Sequence, residues 1–498
     1  MRTALLLTSL SLAACYSGGI VDSLDGGEES DGYTMPPNPG GLPSQGGDSS
    51  SGGSPTGSYP TSSSGQGGET GGQGGANVGS GGNGGQGGVD GGIADAPPSL
   101  ASADLICKLI SDQDVLDPTP NATHTRANVL GTDLGIPVAN GSDLFFLFGD
   151  TVGYKGIWPF SESGPDSVGY AAHGRAGVAA DPSRLCDELR FLRVAQSSSL
   201  GPALDPAIER DFAAVSMAPP AGHSLSEYIK NPAGPIGQNA FPMLPGSFEV
   251  PSGAFSYDGD VYTFYTTVQG PQAVAMKASY LARWSNPTTT SVPHYQILHS
   301  VDERFSASGP LLGRFINVAS EIHGDYLYMF GTGDFRDSPA YLARKQLAQL
   351  ELATGYEVYD ADSGQWLAAP ATQAKPIIAD AKFGETSVRY FAEIGAWMFL
   401  AQGDHQIVAR FASQPQGPWS EEIVLHDNTD LGFIAQYCCF PEGTCGGERL
   451  FNCSKASFYG TFLLPDVAVD SGGFTVSYTM STWDPYNVAL ISARFSLP

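Results

Sequence analysis

Apolar residues between about residue 98 and residue 498 fall in short runs of five to eight, rich in Val, Ile, Phe and Tyr. Gly, Pro, Asn and Asp separate these runs, which is typical of strands joined by turns. Five runs open on a turn and continue into an aromatic-rich strand, at 142–151, 259–268, 324–333, 395–404 and 472–481. A second run, containing Ala-Arg, follows four of them at 280–285, 341–346, 407–412 and 491–496.

The paired repeat predicts the fold. A strand, a short connection and a second strand, recurring along the chain, are typical of successive blades in a sheet array. We therefore expect an all-β fold, a five-bladed β-propeller with about 80 residues per blade, whose radial closure removes long exposed strand edges. A β-sandwich with coincidental similarity between its strands is the alternative. The arginines of the Ala-Arg pairs are expected to be structural.

The first fifteen residues, MRTALLLTSLSLAAC, resemble the signal segment of a bacterial lipoprotein. Arg2 supplies a positive charge, and the apolar stretch 4–12 is too short to span a bilayer. Small residues precede Cys15, as they do where such a segment is cut and the cysteine thiol is lipidated. We therefore expect an exported lipoprotein, anchored through Cys15 at the outer membrane or cell surface. A plain secretory signal with an incidental cysteine is the alternative.

Residues 16–97 are rich in Gly and Ser, with few large apolar residues and no Lys or Arg. Such a segment cannot bury enough apolar surface to offset its ordering entropy, so we expect a disordered linker. The sequence thus divides into a signal peptide with its lipobox cysteine over 1–15, the linker over 16–97, and a β-propeller catalytic domain over 98–498.

The formal net charge of the chain is −27. An acidic surface argues against nucleic acid as a partner and against an anionic polymer as a tightly held ligand. A neutral polysaccharide substrate fits this charge better. We expect a monomer that needs no cofactor.

Six cysteines follow Cys15, and four of them fall within CCFPEGTCGGERLFNC. An even number in an exported protein indicates disulfides. A zinc site needs paired ligands at short spacing, and neither His-x-Cys nor Cys-x-x-Cys occurs. The last four cysteines are expected to link a loop insertion near 432–459, while the connectivity stays open. The disulfide candidates are Cys107, Cys186, Cys438, Cys439, Cys445 and Cys453.

The stretch GTDLGIPVANGSDLFFLFGDT, residues 131–151, places one aspartate near the outer end of each of two strands. The Asn-Gly dipeptide between the strands is a strong hairpin signal. A two-residue turn there sets Asp133 opposite Phe148, two residues from Asp150, whereas a four-residue loop sets Asp133 directly opposite Asp150. Either register puts both carboxyl groups on one face, with Cβ atoms about 5 Å or about 7–8 Å apart.

Like charges this close destabilise a strand pair unless the protein uses them. Desolvation and mutual repulsion raise one pKa, which leaves an acid beside a base. Hydrolysis of a glycosidic bond requires such a pair, because one carboxyl protonates the leaving oxygen while the other activates water or attacks the anomeric carbon. The alternative is structural, since an aspartate beside Gly and Thr can cap a turn by accepting backbone N–H bonds.

A series of motifs resembles, in order, a bacterial family named domain of unknown function 4185. The motifs are NVLGTDLGIPV with LFFLFGDT, FEVPSGAFSYDGDVYTFY, YLYMFGTGDFRDSPAYLAR, GETSVRY, QGPWS and STWDPYNV, and the resemblance covers about 128–498. Some members of that family are endo-D-arabinanases, which cut D-arabinofuranose chains in mycobacterial-type cell-wall arabinan. The resemblance implies a five-bladed propeller with its active site at the axial end, and Asp133 and Asp150 as the catalytic carboxylates.

Other positions in these motifs are candidate substrate-binding or supporting residues. Glu385 and Arg389 share one face of a strand, where Glu385 could orient substrate, tune a catalytic pKa or form an ion pair with Arg389. Arg336 follows a strand end, where a contact to a sugar hydroxyl and a surface salt bridge are both open. Glu249 precedes a proline turn and is a weaker candidate. An aromatic platform for a sugar ring, or core packing, is expected of Trp483, Tyr486 and Asn487.

Three features depart from the family pattern. Thr482 stands where the family has Gln before Trp-x-Pro-Tyr-Asn, the Pro-rich segment 155–245 matches poorly, and the cysteine loop 438–453 resembles an insertion. All three could reshape the substrate groove. His173 and His405 are isolated in the sequence, so no metal site is expected.

The preferred interpretation is a glycoside hydrolase that cleaves a furanosidic polysaccharide, foremost an endo-D-arabinanase. The alternatives are a propeller lipoprotein that binds carbohydrate without cleaving it, and a glycosidase acting on another glycan such as L-arabinan or fructan. The two close aspartates favour an enzyme, because a lectin has no need of them. The stereochemical outcome stays open, because the two hairpin registers straddle the carboxyl separations of inverting and retaining enzymes, although the resemblance favours inversion.

Overall fold

A computed structural model of the chain describes a mainly β protein. It covers residues 97–110, 112, 120–153, 165–193, 212–230, 243–269, 275–304, 309–403, 406–427, 458–482 and 486–497. Several features expected from the sequence lie outside these described residues. They are the signal segment with Cys15, nearly all of the linker, Cys438, Cys439, Cys445, Cys453, His405 and Trp483.

Five sheets, antiparallel except for one outer strand, form the blades of a propeller in the described part of the chain, which confirms the expected fold. A first strand, β1 (Ser99–Lys108), precedes the first blade. That blade contains β2 (Val129–Asn140), β3 (Asp143–Gly153), β4 (Ser167–Ala171) and β5 (Leu189–Phe191). The second blade contains β6 (Ser216–Ala218), β7 (Phe248–Tyr257), β8 (Asp260–Gln269), β9 (Ala275–Trp284) and β10 (His294–Glu303), with β6 as its outer strand, parallel to β10.

The other three blades follow the same meander. The third contains β11 (Asn317–His323), β12 (Tyr326–Thr332), β13 (Ser338–Gln346), β14 (Tyr356–Asp360) and β15 (Gln365–Ala368), and β16 (Ile378–Phe383) pairs with β13. The fourth contains β17 (Thr386–Phe391), β18 (Ala396–Gln402), β19 (Gln406–Ala412) and β20 (Ile423–Asp427). The fifth contains β21 (Phe458–Asp470), β22 (Gly473–Thr482) and β23 (Asn487–Ser496).

Helices are short in the described part of the chain. The α-helices are α1 (Thr123–Ala127), α2 (Gly174–Ala180), α3 (Leu185–Glu188) and α4 (Leu225–Tyr228), and 3₁₀ turns cover Pro182–Arg184 and Leu347–Gln349. None of these described helices is long and apolar enough to cross a lipid bilayer.

The repeated sequence units are the second and third strands of the blades. The aromatic runs coincide with β3, β8, β12, β18 and β22, and the Ala-Arg runs coincide with β9, β13, β19 and β23. Each arginine of the Ala-Arg pairs lies in an ion pair within its blade: Arg283 with Asp260, Arg344 with Glu357, Arg410 with Glu422, and Arg494 with Asp470.

The innermost strand of each blade lines the central axis. These strands are β2, β7, β11, β17 and β21, and each contacts the next around the ring, with β21 returning to β2. Apolar residues fill the wedge between every two neighbouring blades, giving five interblade cores. Their largest members include Phe145, Phe146, Phe330, Trp397 and Tyr478. Burial of each such side chain stabilises the fold by about 1.5–3 kcal/mol, so the ring is held by blade-on-blade packing.

The ring closes by pairing the two ends of the propeller. β1 lies antiparallel to β23 as the outer strand of the fifth blade, from Ser99 opposite Ser496 to Lys108 opposite Ala489. A disulfide between Cys107 and Cys186 then joins the end of β1 to α3, which packs on the first blade. Hydrogen bonds and one covalent link thus fasten the first blade to the last.

Candidate active site

The inner strands bring polar side chains to one end of the propeller axis. Asp133 lies near the start of β2, Glu249 near the start of β7, Glu385 just before β17, and Tyr459 near the start of β21. The Tyr459 hydroxyl donates a hydrogen bond to Oδ2 of Asp133 at 3.0 Å, which joins the last blade to the first. We call the end of the axis marked by these four residues the axial site.

Near its turn, the β2–β3 hairpin has the register predicted for a four-residue loop, with Asn140 opposite Asp143. Near the two aspartates the register is different. A β-bulge between Leu134 and Ile136 shifts the pairing by one residue between the turn and the site, so that Asp133 lies opposite Gly149. Both expected partners of Asp133, Phe148 and Asp150, are therefore displaced by one residue. Bulges of this kind re-aim side chains and are frequent beside active sites.

The local sequence explains how the bulge is accommodated. A Cβ at Gly149 would lie 2.6 Å from Oδ1 of Asp133, so glycine lets the carboxyl group fold over the neighbouring strand. Asp150 has a φ of 28°, in the left-handed region that Asp tolerates better than most residues. Side-chain hydroxyls 2.7–2.9 Å apart tie the ends of β2, β3 and β4 together, and they belong to Thr132, Thr151 and Ser167.

A third aspartate, missed in the sequence, lies beside this pair. Asp166 immediately precedes β4, whose Ser167 pairs with Phe148 of β3. Asp166 is 1% exposed, and a hydrogen bond from the backbone of Asp150 offsets part of the effect of burial on its pKa. A sequence signal did exist, because Asp166 directly precedes an apolar run that follows the Gly-Asp-Thr strand. The poor family match over 155–245 concealed it.

The second blade contributes a fourth carboxyl group. Glu249 is fully buried, and its two oxygens accept hydrogen bonds from the backbone N–H groups of Met243, at 2.6 Å, and Leu244, at 3.3 Å. The next residue, Val250, packs close to Gly149 of the first blade. Glu249, the weakest candidate in the sequence, thus lies close enough to Asp150 and Asp166 to raise their pKa values.

Burial raises the pKa of all four carboxyl groups. Desolvation raises the pKa of Asp133 to about 6 and that of Glu249 to about 8. Burial, followed by the negative charges of neighbouring carboxylates, raises the pKa values of Asp150 and Asp166 well above the ordinary range. Because burial disfavours the ionised form of each carboxyl group, the set retains protons at neutral pH.

Asp133 and Asp150 differ in what surrounds them. Hydrogen bonds from the hydroxyls of Tyr486 and Tyr459, together with the Arg336 guanidinium, lower the pKa of Asp133 and partly offset its burial. In contrast, Oδ1 of Asp150 is buried without a hydrogen-bond partner in the described structure, and its charged neighbours are carboxylates. The negative charge therefore resides on Asp133 and the proton on Asp150.

Glu385 pairs with Arg336 and not with Arg389. Nη2 of Arg336 lies 3.4 Å from Oε1 of Glu385. Arg389 instead donates hydrogen bonds to the carbonyl oxygens of Leu463, at 2.9 Å, and Pro137, at 2.8 Å. Nη1 of Arg389 also lies 3.5 Å from Oε2 of Glu321 on β11. Arg389 thus cross-links the inner strands of four blades along the axis, while Arg336 and Glu385 lie at the axial site.

The two described residues of the last candidate motif have different positions: one lies at the axial site and the other supports the fold. The hydroxyl of Tyr486 is hydrogen-bonded to Asp133, whereas Nδ2 of Asn487 donates to the carbonyl oxygen of Ile110 at 2.5 Å. Asn487 therefore anchors the segment that follows β1. Tyr459 was missed because no local pattern distinguishes it from the other aromatic residues of the strands.

In the described ranges, no group of three or more His, Cys, Asp or Glu side chains is arranged to hold a metal ion. His173 lies at the surface beside Glu188. The axial site presents carboxyl groups, tyrosine hydroxyls and the guanidinium group of Arg336.

Five blades around an axis, with buried carboxyl groups at one end, define a propeller with an acidic axial site. The sequence profile described as domain of unknown function (DUF4185) matches residues 241–492. The chain belongs to the DUF4185 family. The match begins just before β7 and ends within β23, so the hairpin with Asp133 and Asp150 lies outside it. No curated protein matches the sequence.

Solved structures with similar folds include a Bacteroides ovatus protein, 13% identical, with 74% of this chain and 87% of that chain covered and a TM-score of 0.46. A Podospora anserina α-L-arabinofuranosidase in complex with cellotriose is 10% identical, with 78% and 95% covered and a TM-score of 0.39. A Xanthomonas citri GH43_1 enzyme complexed with xylotriose is 15% identical, with 76% and 89% covered and a TM-score of 0.35. The last two are glycoside hydrolases, and all three similarities are distant.

Proposed function

We propose that the protein is a glycoside hydrolase whose two working carboxyl groups are Asp133 and Asp150. The observation that carries the proposal is their unequal environment at the axial site. Asp133 accepts a hydrogen bond from Tyr459 and lies within the field of Arg336, whereas Asp150 has only carboxylates as charged neighbours. Glycosidic hydrolysis needs such a division between one ionised and one protonated carboxyl group.

Each aspartate has one part in the reaction. Asp150 donates its proton to the glycosidic oxygen as the bond to the anomeric carbon breaks, so the sugar departs as a neutral alcohol. Asp133, ionised, either takes a proton from the water that attacks the anomeric carbon or attacks that carbon itself. When Asp133 acts as the base, it ends protonated and Asp150 ionised, and proton exchange with solvent restores both groups. When Asp133 acts as the nucleophile, Asp150 regains its proton from the water that hydrolyses the glycosyl-enzyme. Either route consumes one water. The hydroxyl of Tyr459, on the fifth blade, holds Asp133 of the first blade in place by a hydrogen bond.

The substrate we propose is a furanosidic polysaccharide, and specifically D-arabinan cut internally. Support comes from the paired Gly-Thr-Asp and Gly-Asp-Thr motifs, which resemble those of endo-D-arabinanases within the DUF4185 family. The charge of −27 also favours a neutral polymer over an anionic one. A propeller that only binds carbohydrate would gain nothing from four buried carboxyl groups with raised pKa values.

The first test is cleavage of a panel of neutral polysaccharides by the purified chain. We expect oligosaccharides to be released from D-arabinan and not from L-arabinan, fructan or xylan. Cleavage of another polymer instead of D-arabinan would contradict the proposed substrate but not the proposed mechanism. Binding to a glycan with no cleavage of any would support the carbohydrate-binding alternative and contradict the enzyme.

The same assay should show a bell-shaped dependence of rate on pH. The rate should rise as Asp133 ionises, with a midpoint near its pKa of about 6, and fall at higher pH where Asp150 loses its proton. An optimum near pH 4, where carboxyl groups with ordinary pKa values titrate, would contradict the assigned roles. Initial rates between pH 4 and pH 10 on D-arabinan provide the measurement.

We also propose that a lipid on Cys15 tethers the protein to a membrane. The proposal is supported by the short apolar segment and the small residues before Cys15, followed by a Gly- and Ser-rich stretch. Cys15→Ser should move the protein from the membrane fraction to the soluble fraction of its host cells. Unchanged fractionation of the variant would refute lipidation at this cysteine.

A further inference from the structure

Asp166 is a buried carboxyl group that has no part in the proposed reaction. It is 1% exposed, whereas Asp150 is partly exposed at the axial site. Asp150 can therefore meet a substrate, while Asp166 is closed off from it. Burial of a carboxyl group is unfavourable for folding, because it disfavours the charged form. A buried carboxyl group at this position therefore indicates that a neighbouring group depends on it.

The strand pairing sets Asp166 opposite an irregular part of β3. On one side of Asp166, Ser167 pairs with Phe148. On the other side, the carbonyl oxygen of Pro165 accepts a hydrogen bond from the N–H of Thr151 at 3.0 Å. Two residues of β3 lie between these contacts and face Asp166 alone. Two residues against one make a β-bulge, which bends a strand and re-aims its side chains.

The two bulged residues are Gly149 and Asp150, and the backbone of the second is strained. Asp150 has a φ of 28°, in the left-handed region that non-glycine residues adopt at a cost. The carboxyl group of Asp166 accepts a hydrogen bond from the backbone N–H of Asp150. Because the N–H of Thr151 is also bonded, the peptide groups on both sides of Asp150 are fixed. The side chain of Asp150 therefore leaves the backbone in one direction.

Asp166 is itself held by the chain that leads into the second blade. Its carbonyl oxygen accepts the N–H of Val215 at 2.9 Å, and the next residue, Ser167, forms an antiparallel bridge with Ala214. The hydroxyl groups of Ser167 and Thr151 lie 2.7 Å apart. The carboxyl group of Asp166 thus projects from a well-anchored backbone, as a group that positions another must.

We propose that Asp166 is a positioning residue that keeps the proton donor Asp150 aimed at the glycosidic oxygen. Asp166 does not touch the substrate and acts through the backbone of Asp150. A catalytic group displaced by about 1 Å loses much of its effect on the rate, so the hydrogen bond to the bulge matters for the protonation step. This inference rests on the proposed function, and it concerns the acid alone and not Asp133.

The test compares Asp166→Ala with Asp166→Asn on D-arabinan. Alanine removes the acceptor, whereas asparagine keeps a carbonyl oxygen that can still accept the N–H of Asp150. Asp166→Ala should lower kcat about tenfold, the effect of one lost hydrogen bond, while KM stays within about threefold of the parent value. Asp166→Asn should retain the parent kcat within about threefold.

An aryl oligo-D-arabinofuranoside with a good leaving group separates positioning of the acid from general damage to the site. This leaving group departs without protonation, so Asp166→Ala should release the aryl alcohol in its first turnover within about threefold of the parent rate. A distorted site would lose rate equally on both substrates. On D-arabinan, the double variant Asp150→Asn, Asp166→Ala should be no slower than Asp150→Asn alone, because no acid is left to position.

Asp360→Ala is the matched control. Asp360 is buried on β14, an outer strand of the third blade, and its Oδ1 accepts the backbone N–H of Lys375 at 3.0 Å. It therefore also holds a backbone N–H, but one that does not belong to a catalytic residue. The control should lower the free energy of unfolding and leave kcat on both substrates within about threefold of the parent values.

A kcat of Asp166→Ala within about threefold of the parent on D-arabinan would refute the positioning role and leave the hydrolase in place. Equal losses on the two substrates would refute it as well, and so would a loss in Asp166→Asn as large as that in Asp166→Ala. If Asp166→Ala fails to fold, Asp166→Val, closer in volume to the parent and without an acceptor, decides in its place. A parent that cleaves no polysaccharide of the panel would overturn the proposed function and the positioning role together.

Discussion

Asp133→Asn and Asp150→Asn should each lower the rate of D-arabinan cleavage by about 10²–10⁴-fold, because an amide can neither donate the proton nor take one. Asparagine has nearly the shape of aspartate, so substrate binding should persist and the loss should appear in kcat. Steady-state rates on the soluble polymer are the measurement. Rates within about threefold of the parent in both variants would show that the pair is structural.

The same substitutions should not weaken the fold, and Asp150→Asn should strengthen it. The pKa of Asp150 is raised by burial, so the folded state holds a proton that the unfolded state releases above its ordinary value near 4. Parent stability is therefore lost as pH rises from that value towards the raised pKa of the folded state. Asparagine carries no such proton, so the advantage of the variant should grow from pH 4 to pH 8, as chemical denaturation can measure.

Removal of the Cys107–Cys186 disulfide should lower the free energy of unfolding by about 4 kcal/mol. The bond spans 79 residues, and a cross-link over a loop of that size restricts the unfolded chain by about this amount. It also fastens β1 to the first blade, so its loss should loosen the closure of the ring. The double variant Cys107→Ala, Cys186→Ala, compared with the parent by denaturant unfolding, gives the value.

Alanine is the suitable replacement at both cysteines because both side chains are buried, Cys107 completely. The cavity left by the two sulfur atoms should add to the loss. Equal stability of the double variant and the parent would show that β1 closes the propeller without covalent help. Reduction of the parent is a weaker test, since it also acts on the remaining cysteines.

The propeller could be predicted from the sequence because the second and third strands of its blades repeat. Aromatic residues there fill the wedges between blades, so packing imposes the same pattern several times over. The closure could not be predicted in the same way. β1 pairs with β23, which lies almost 400 residues further along the chain, and nothing local in SLASADLICK indicates that partner.

The carboxyl pair could be located because Asp133 and Asp150 lie in one hairpin with an Asn-Gly turn. Their relative placement could not be predicted, because a β-bulge shifts the register between the turn and the site. Asp166 and Tyr459 come from another strand of the same blade and from the last blade. Their approach to Asp133 depends on the assembled ring, which strand patterns do not encode.

The pairing of Glu385 with Arg336 also depends on the assembled ring, so the strand pattern did not predict it. Spacing along a strand placed Glu385 and Arg389 on one face, and this suggested that they form an ion pair. In the ring, the loop after β12 brings Arg336 to Glu385 from the neighbouring blade, and Arg389 reaches backbone carbonyls across the axis. Contacts between blades therefore decided which charges meet.

The most direct test of the central claim compares the two aspartate variants on an aryl oligo-D-arabinofuranoside with a good leaving group. Such a leaving group departs without protonation, so loss of the acid should matter little while loss of the base or nucleophile should remain severe. We expect Asp150→Asn to release the aryl alcohol in its first turnover within about tenfold of the parent rate, and Asp133→Asn to remain at least about 10²-fold slower. Equal, severe losses in both variants would contradict the assignment of Asp150 as the acid and Asp133 as its partner.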